Sequence, residues 1–384
     1  MEQDIYGYSL CAALALMIFF GVWFIFARKQ DKPVFGNYIR SRRIMGAALL
    51  VLSANYAVHL LLRPRFTAPD AAILMNLSTY YISAWLFSSA LTSLLDNHYL
   101  TRRKFTLHII GWLCFTTAAG AVMILFPSGG AMNTAGIIAL TLWFLIYAFS
   151  LASRLIREYR KAVRLFDETQ SDDIGSYIDW LSVFTWWAVI YGVGCGLFTF
   201  IPEKYVFIWI LSSIPFYIYL FCSYMNYMLF YERVETALDT EMPESTPGAE
   251  SVMTGGTYRN TEEDSAGNRQ NQPAYYAELE KRLAGWIGRN GFTLPGLTIE
   301  DLAGALCTNR TYIAGYIKSV YHVTFREWIA DLRIEYAKRM MSEHPEMTVS
   351  AVSEASGFLS HSYFTRIFSE KEGASPAKWK RALA

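Results

Sequence analysis

The feature that most constrains this chain is a series of long apolar stretches, which ends near Tyr231 and gives way to polar sequence. Each stretch has roughly 20 residues, the length that an α-helix needs to cross a bilayer core of about 30 Å. The stretches are Ile5–Ala27, Ile44–Leu62, Ala71–Leu95, Phe105–Phe126, Thr134–Ala152, Trp180–Phe200 and Val206–Tyr231. We therefore predict a seven-helix transmembrane domain over residues 1–234.

Composition supports two parts that lie in different solvents. Hydrophobic residues make up 53% of the chain and charged residues 17%, whereas charged residues are about 25% of a typical soluble domain. The aromatic share of 16% is typical of membrane helices with interfacial aromatic belts. The net charge of +1 gives no sign of nucleic-acid binding by itself, because opposite local charges cancel in the sum.

The loops between the apolar stretches differ in their content of lysine and arginine. The first, third and fifth loops carry Arg28, Lys29, Lys32, Arg40, Arg42, Arg43, Arg102, Arg103, Lys104, Arg154, Arg157, Arg160, Lys161 and Arg164. The other loops carry only Arg63, Arg65 and Lys204. Because cationic loops stay in the cytoplasm, we expect an outside N-terminus and a cytoplasmic C-terminus. The fifth loop, Arg154–Phe166, could also form a helix on anionic lipid.

Polar side chains lie inside two of the predicted spans. Asn55 and His59 are four residues apart on one helical face, and Asn76 and Tyr80 lie in the next span. Polar groups in lipid are usually paired or functional. Hydrogen bonding between helices is the leading interpretation of these residues; a small-ligand pocket is the main alternative, and a metal or proton path is a third.

Residues 235–275 are rich in Thr, Glu, Gly, Ser, Asn, Gln and Pro. Such a composition buries too little apolar surface to fold, so we expect a disordered linker. A flexible chain of this length has a root-mean-square reach of roughly 35 Å. The part that follows could therefore stand away from the membrane.

Residues 276–384 read as short helices separated by capping and turn residues. Thr298 and Asn309 are suited to cap two successive helices, with Tyr312, Ile313 and Ile317 inward on the second. Thr324 and Glu327 form a capping box for a longer helix, Phe325 to about Ser342. The pattern then repeats, with Gly357 at a turn and Ser360 at the next cap. We predict two helix-turn-helix units joined by one helix.

The second of these units also carries a family resemblance. Val349–Phe358, Ser362–Phe368 and Gly373–Pro376, with Leu332-Arg333 and Ala337–Arg339 in the connecting helix, resemble the AraC-type DNA-binding domain. The resemblance covers roughly the last 90 residues. It implies bacterial transcription regulation through two recognition helices, here Asn309–Tyr321 and Ser360–Ser369.

The resemblance also implies which residues face DNA. They are Arg310, Thr311, Ala314 and Gly315 in the first recognition helix and His361, Ser362, Thr365 and Arg366 in the second. Lys318 is a further cation suited to a phosphate contact. The sequence departs from the family at Gly315, where an arginine is common, at His322, where a glycine usually ends the helix, and at Ser369-Glu370, where cations often follow. These departures predict modest, salt-sensitive affinity, with unequal roles for the two helices.

Together these observations predict an all-α protein, a seven-helix membrane bundle followed by a soluble double helix-turn-helix domain. Its predicted function is that of a membrane-tethered transcription regulator of the bacterial cytoplasmic membrane, which binds double-stranded DNA and the lipid bilayer. A small-molecule or protein signal and a homodimer remain open. The alternative is a receptor or transporter whose C-terminal module docks protein.

Enzyme function is not expected. No HExxH, GxSxG or glycine-rich phosphate loop occurs in an interpretable setting, so we assign no catalytic residue and no cofactor. The cysteines show no ligand spacing, which predicts reduced thiols and no metal site. They are Cys11, Cys114, Cys195, Cys222 and Cys307.

Overall fold

The computed structural model of the protein describes residues 2–27, 32–96, 99–198, 203–239 and 272–383. Within those residues the regular structure is helical, with one isolated antiparallel bridge between Gln170 and Thr298. Two compact units form. The first contains Met1–Ala162 and Tyr177–Glu235, and the second contains Val163–Ser176 and Thr236–Ala384.

The first unit is built from long apolar helices. They are α1 (Glu2–Phe26), α2 (Gly36–Leu62), the short α3 (Pro64–Thr67), α4 (Pro69–Ser93), α5 (Arg102–Leu125), α6 (Ala131–Thr169), α7 (Asp179–Phe198) and α8 (Glu203–Asp239). Five of them, α1, α2, α5, α6 and α8, are long and apolar enough to cross a membrane. The predicted spans in α4 and α7 are helical as well, while the count of seven crossings stays a prediction.

Helix α6 extends far beyond the apolar stretch that predicted it. The apolar pattern predicted a span that ends at Ala152 and a separate loop over Arg154–Phe166, but α6 is one continuous helix of 39 residues. No glycine or proline occurs between Ala152 and Thr169, and the Arg, Lys and Glu residues there are good helix formers. Hydropathy reports where a helix is apolar, so it missed this polar continuation.

The structure describes only the two ends of the predicted linker. Helix α8 has 37 residues and continues to Asp239, and helix α9 begins at Gln272. The start and end of the predicted 235–275 linker are therefore helical. Its central part, 240–271, lies outside the described residues.

The second unit contains α9 (Gln272–Gly288), α10 (Ile299–Ala305), α11 (Arg310–Val320), α12 (Phe325–Glu343), α13 (Val349–Ala355), α14 (His361–Glu372) and α15 (Pro376–Leu383). Two apolar cores form in this unit. One joins α9, α10 and α11 to the first half of α12 around Leu302, Ile317 and Trp328. The other joins the second half of α12 to α13 and α14 around Val352 and Phe364.

One part of the second unit comes from the middle of the chain. Val163–Ser176 contains the end of α6 and the start of a short 3-10 turn, Ile174–Tyr177. Its backbone bonds to the C-terminal region, because the Ser171 N–H donates to the carbonyl of Leu297 at 3.0 Å. The sequence predicted that this segment belongs to the membrane domain, and its packing against the C-terminal region was not predicted.

Candidate DNA-binding site

The first helix-turn-helix unit is α10, a tight turn and α11. Thr298 and Asp301 form a reciprocal capping box at the start of α10. Cys307 takes a left-handed conformation in the turn, with φ of +52°. The Asn309 side chain then caps α11 by accepting from the Tyr312 N–H at 3.0 Å. The structure confirms the caps that the sequence predicted at Thr298 and Asn309.

The inward face of α11 is formed by Ile313, Tyr316 and Ile317, all of which are buried. The prediction that Tyr312 points inward was wrong in part, because Tyr312 is half-buried and Tyr316 is the buried tyrosine of this face. Residues three and four after Ile313 fall on its own face of the helix. Thr311 and Lys318 are exposed.

Arg310, at the start of α11, forms an ion pair within the first helix-turn-helix unit. Its Nη1 lies 3.2 Å from Oε1 of Glu300 on α10. Both side chains are more than a third exposed, so this pair is weak and easily exchanged for another anion. Arg310 is therefore placed where it could bind a phosphate after giving up Glu300.

The second helix-turn-helix unit consists of α13, a turn and α14, and it repeats the backbone geometry of the first helix-turn-helix unit. Gly357 occupies the left-handed position, with φ of +86°. A Cβ at this position would lie 2.3 Å from the carbonyl oxygen of Thr293, so glycine is required for both conformation and space. The Ser360 side chain caps α14, accepting from the Tyr363 N–H at 3.3 Å. The glycine turn and the cap were both predicted.

Helix α14 buries Tyr363, Phe364 and Phe368 against the second core. Burial raises the pKa of the Tyr363 phenol to about 12, so this group stays neutral. The candidate DNA-facing residues lie on the remaining surface. His361, Ser362 and Arg366 are exposed, and Thr365 is half-buried.

Helix α12 connects the two helix-turn-helix units and contains a fully buried arginine. Arg333 is 0% exposed; its Nε donates to the carbonyl of Phe292 at 2.9 Å and its Nη2 to the carbonyl of Leu294 at 2.8 Å. Its Nη1 lies 3.5 Å from Oδ1 of Asp172. Burial lowers the pKa of Arg333, and the Asp172 carboxylate opposes that shift. The resemblance included Arg333 but did not indicate its partners.

Arg366, the strongest candidate for reading a base, is paired in the structure. Its guanidinium bonds to the carboxylate of Asp173, in the segment between α6 and α7. Asp173 also accepts from Arg326 of α12 at 2.8 Å. The sequence alone did not predict this partner, because Asp173 lies 193 residues from Arg366 along the chain.

Three of the four polar residues predicted in the apolar spans, Asn55, His59 and Asn76, lie close together in the first unit. His59 hydrogen-bonds to Asn76 at 2.8 Å and to the Tyr6 hydroxyl at 3.3 Å. The Asn55 amide donates to Thr79 at 3.1 Å. These contacts join α1, α2 and α4, as the leading interpretation expected. Tyr80 instead packs against Phe144 with ring centroids 6.4 Å apart.

A separate cavity of about 160 Å³ lies in the first unit, and Tyr80 is among its lining residues. Its walls are mainly aliphatic and aromatic side chains, including Phe87, Phe184 and Phe216. Ser83 and Ser88 also line it, and each is less than a tenth exposed. Neither serine Oγ has a hydrogen-bond partner among the described residues. A buried hydroxyl without a partner is unfavourable, so a ligand group could satisfy it.

The C-terminal region is similar to known proteins. Residues 302–382 match the family described as Helix-turn-helix domain. The uncharacterized HTH-type transcriptional regulator YobQ of Bacillus subtilis (strain 168) is 39% identical over 87 residues, 23% of this chain and 36% of that protein. The Msm operon regulatory protein of Streptococcus mutans serotype c is 23% identical over 110 residues, 29% of this chain and 37% of that protein.

The melibiose operon regulatory protein of Escherichia coli (strain K12) is 27% identical over 85 residues, 22% of this chain and 28% of that protein. The chain thus spans about a third of the length of these relatives. No solved structure matches the chain. The matched residues contain most of the first helix-turn-helix unit and all of the second, with both left-handed turns and the caps of α11 and α14. Residues 302–382 thus form an AraC-type helix-turn-helix domain.

Proposed function

We propose that this protein is a membrane-tethered transcription regulator that binds double-stranded DNA through α11 and α14. The observation that carries the proposal is the repeat of one turn geometry at Cys307 and Gly357, on either side of α12. At 19 residues, α12 spans about 28 Å. Successive major grooves on one side of DNA are about 34 Å apart, so two recognition helices spaced by such a helix suit adjacent grooves.

The membrane tether is supported by the five helices that are long and apolar enough to cross a bilayer. Helix α6, with 39 residues, is about 58 Å long, roughly twice the thickness of a bilayer core. Its apolar first part is suited to the membrane and its cationic second part to the cytoplasm. These lengths and charges support a C-terminal domain at the inner face of a bacterial cytoplasmic membrane, where chromosomal DNA is accessible.

The first unit, in this proposal, senses a small apolar molecule that carries a hydrogen-bonding group. The cavity with Ser83 and Ser88 supports this, because a cavity of about 150 Å³ accepts a molecule the size of benzene. Native mass spectrometry of the extracted protein tests it. A bound molecule should be retained by wild type and by Ala135→Phe, on an exposed face of α6, and lost from Ala84→Phe, which fills the cavity.

DNA binding is tested with the full chain in lipid nanodiscs. A library of random DNA duplexes is incubated with the protein at low salt, and retained duplexes are sequenced over several rounds. We expect one enriched motif, with affinity that falls steeply as salt rises. Failure to retain any duplex at low salt would contradict the proposal and favour a receptor or transporter whose C-terminal domain docks protein.

A further inference from the structure

Residues 163–176, here named the docking segment, place three aspartates against three arginines of the DNA-binding domain. Asp167 and Asp173 lie 3.2 Å and 2.8 Å from Nη1 of Arg326. The other pairs are Asp172 with Arg333 and Asp173 with Arg366. The Asp173 side chain is 11% exposed, so water screens its pairs less than it would screen pairs at an open surface.

The docking segment also bonds to the backbone of both helix-turn-helix units. Asp172 accepts from the Gly296 N–H at 3.2 Å, just before α10, and from the Leu359 N–H at 3.4 Å, just before α14. Ser171 bonds through its N–H to Leu297 and through its Oγ to Arg333. A segment held by side-chain and backbone bonds at several places has a defined position on the domain.

The consequence for DNA binding falls on Arg366. Its guanidinium would have to leave Asp173 before it could donate two parallel bonds to a guanine in the major groove. Asp173 would also repel any phosphate brought close to α14. The docked segment and DNA therefore compete for the same cation.

We propose that the docking segment is an intramolecular inhibitor that masks Arg366 and so lowers the DNA affinity of the intact protein. Helix α6 begins in the first unit and ends in this segment, so a rearrangement of the first unit reaches the inhibitor along one continuous helix. Release of the segment frees Arg366. This inference rests on the proposed DNA-binding function.

The first test compares Asp173→Asn with Glu168→Gln in the full chain. The asparagine keeps the shape of the side chain and removes the charge that holds Arg366. Glu168 is exposed at the same end of α6, so its substitution removes one negative charge without affecting that ion pair. Both variants and wild type are assayed in nanodiscs, at one salt concentration, on a duplex selected by wild type.

We expect Asp173→Asn to tighten DNA binding about two- to fivefold relative to Glu168→Gln, the range that one partly exposed ion pair allows. Equal affinities for the two variants would overturn the inhibition and leave the proposed function standing. Absence of DNA binding by every variant at low salt would overturn both.

The second test locks the segment in place. Gln170 and Thr298 form the antiparallel bridge, and directly opposed residues in such a bridge are close enough for a disulfide. In Gln170→Cys/Thr298→Cys, oxidation should weaken DNA binding several-fold and reduction should restore it. The oxidised and reduced forms of the double variant both lack the Thr298 cap of α10, so the comparison between them isolates the effect of the disulfide. The single variant Gln170→Cys serves as the oxidation control.

Two results of the locking experiment would contradict the inference. One is failure of the disulfide to form under oxidant, judged on a non-reducing gel, because the docked geometry requires it. The other is complete disulfide formation with unchanged DNA binding, because a locked segment must keep Asp173 against Arg366.

Discussion

At the scale of single residues, the two left-handed turn positions show how one backbone geometry is met by different side chains. Gly357 adopts φ of +86° without steric cost, whereas Cys307 adopts φ of +52° with a Cβ, at a cost of roughly 1 kcal/mol. His322, at a position where the family often has glycine, also takes a positive φ, of +58°. The first helix-turn-helix unit therefore contains backbone strain that the second helix-turn-helix unit avoids.

Substitution of Gly357 by alanine should destabilise the second helix-turn-helix unit. We expect a loss of more than about 2 kcal/mol, because strain at a positive φ adds to a Cβ only 2.3 Å from the Thr293 carbonyl. The measurement is amide hydrogen exchange of α13 and α14 in the full chain. Gly304→Ala is the control, since its Cβ meets open space in a helix and should stabilise α10 slightly. Equal protection in both variants would refute the argument.

Arg366 and Lys318 should contribute to DNA binding in different ways. Arg366→Ala should cost about 1 to 3 kcal/mol and relax the preference at one base pair, because its fork can pair with guanine. Lys318→Ala should weaken all sequences alike and lower the salt slope by about one. A base-by-base scan of a selected duplex distinguishes them. Measuring both substitutions in the Asp173→Asn background removes the competing ion pair; loss of specificity in both variants would contradict the assignment.

The residue scale also shows which parts of the site a sequence can predict. Caps and turns depend on residues within a few positions of one another, so Thr298, Asn309, Gly357 and Ser360 could be identified before the structure. The surroundings of Arg333 could not, because its partners come from residues 292–294 and from the docking segment. In the sequence, aspartates so distant from Arg333 cannot be distinguished from other polar residues.

At the scale of elements, α12 depends on a capping box at its start. Oε2 of Glu327 accepts from the Thr324 N–H at 2.9 Å, and this bond is the largest cause that lowers the pKa of Glu327. A carboxylate whose pKa is lower in the folded state stabilises the helix above its unfolded pKa of about 4.3. That contribution is lost as the pH falls through the folded pKa.

We therefore expect Glu327→Gln to loosen the first turn of α12 at pH 7 by about 0.3 to 1 kcal/mol. The difference from wild type should shrink as the pH falls through the lowered pKa of Glu327, because the protonated carboxyl is then neutral like the glutamine. Hydrogen exchange of the α12 amides, corrected for intrinsic rates, measures both. Glu335→Gln, in the middle of the same helix and paired with Lys338, should leave the first turn unchanged. A difference that stays constant down to pH 3 would disprove the role of the charge.

Element lengths show a second limit of the sequence. Apolar stretches located most of the long helices of the first unit, but α6 continues past Ala152 into cationic sequence. The same residues were read as a loop that could rest on lipid. Propensity alone would have favoured the continuous helix, since no helix-breaking residue interrupts it. The prediction relied on hydropathy and not on helix propensity, so the continuation of α6 to Thr169 was not predicted.

At the scale of the whole molecule, the docking segment limits the number of crossings that the proposed membrane tether can have. The segment and residues 272–383 pack in one unit, so both must lie on the same side of a bilayer. The chain between them contains α7 and α8, and only an even number of crossings returns it to the same side. Helix α8 is long and apolar enough to cross, so if α8 crosses, we expect α7 to cross as well.

Fusions to alkaline phosphatase, which is active only outside the cytoplasm, test this arrangement. A fusion after Gly130 should be active, because the loop there carries no cation and cation-poor loops lie outside. A fusion after Phe166 should be inactive, and one after Pro202, between α7 and α8, should be active again. An inactive fusion after Pro202, at normal protein level, would mean that α7 does not cross. The DNA-binding domain and the docking segment would then lie on opposite sides of the membrane, and the contact between Asp173 and Arg366 could not form in the cell.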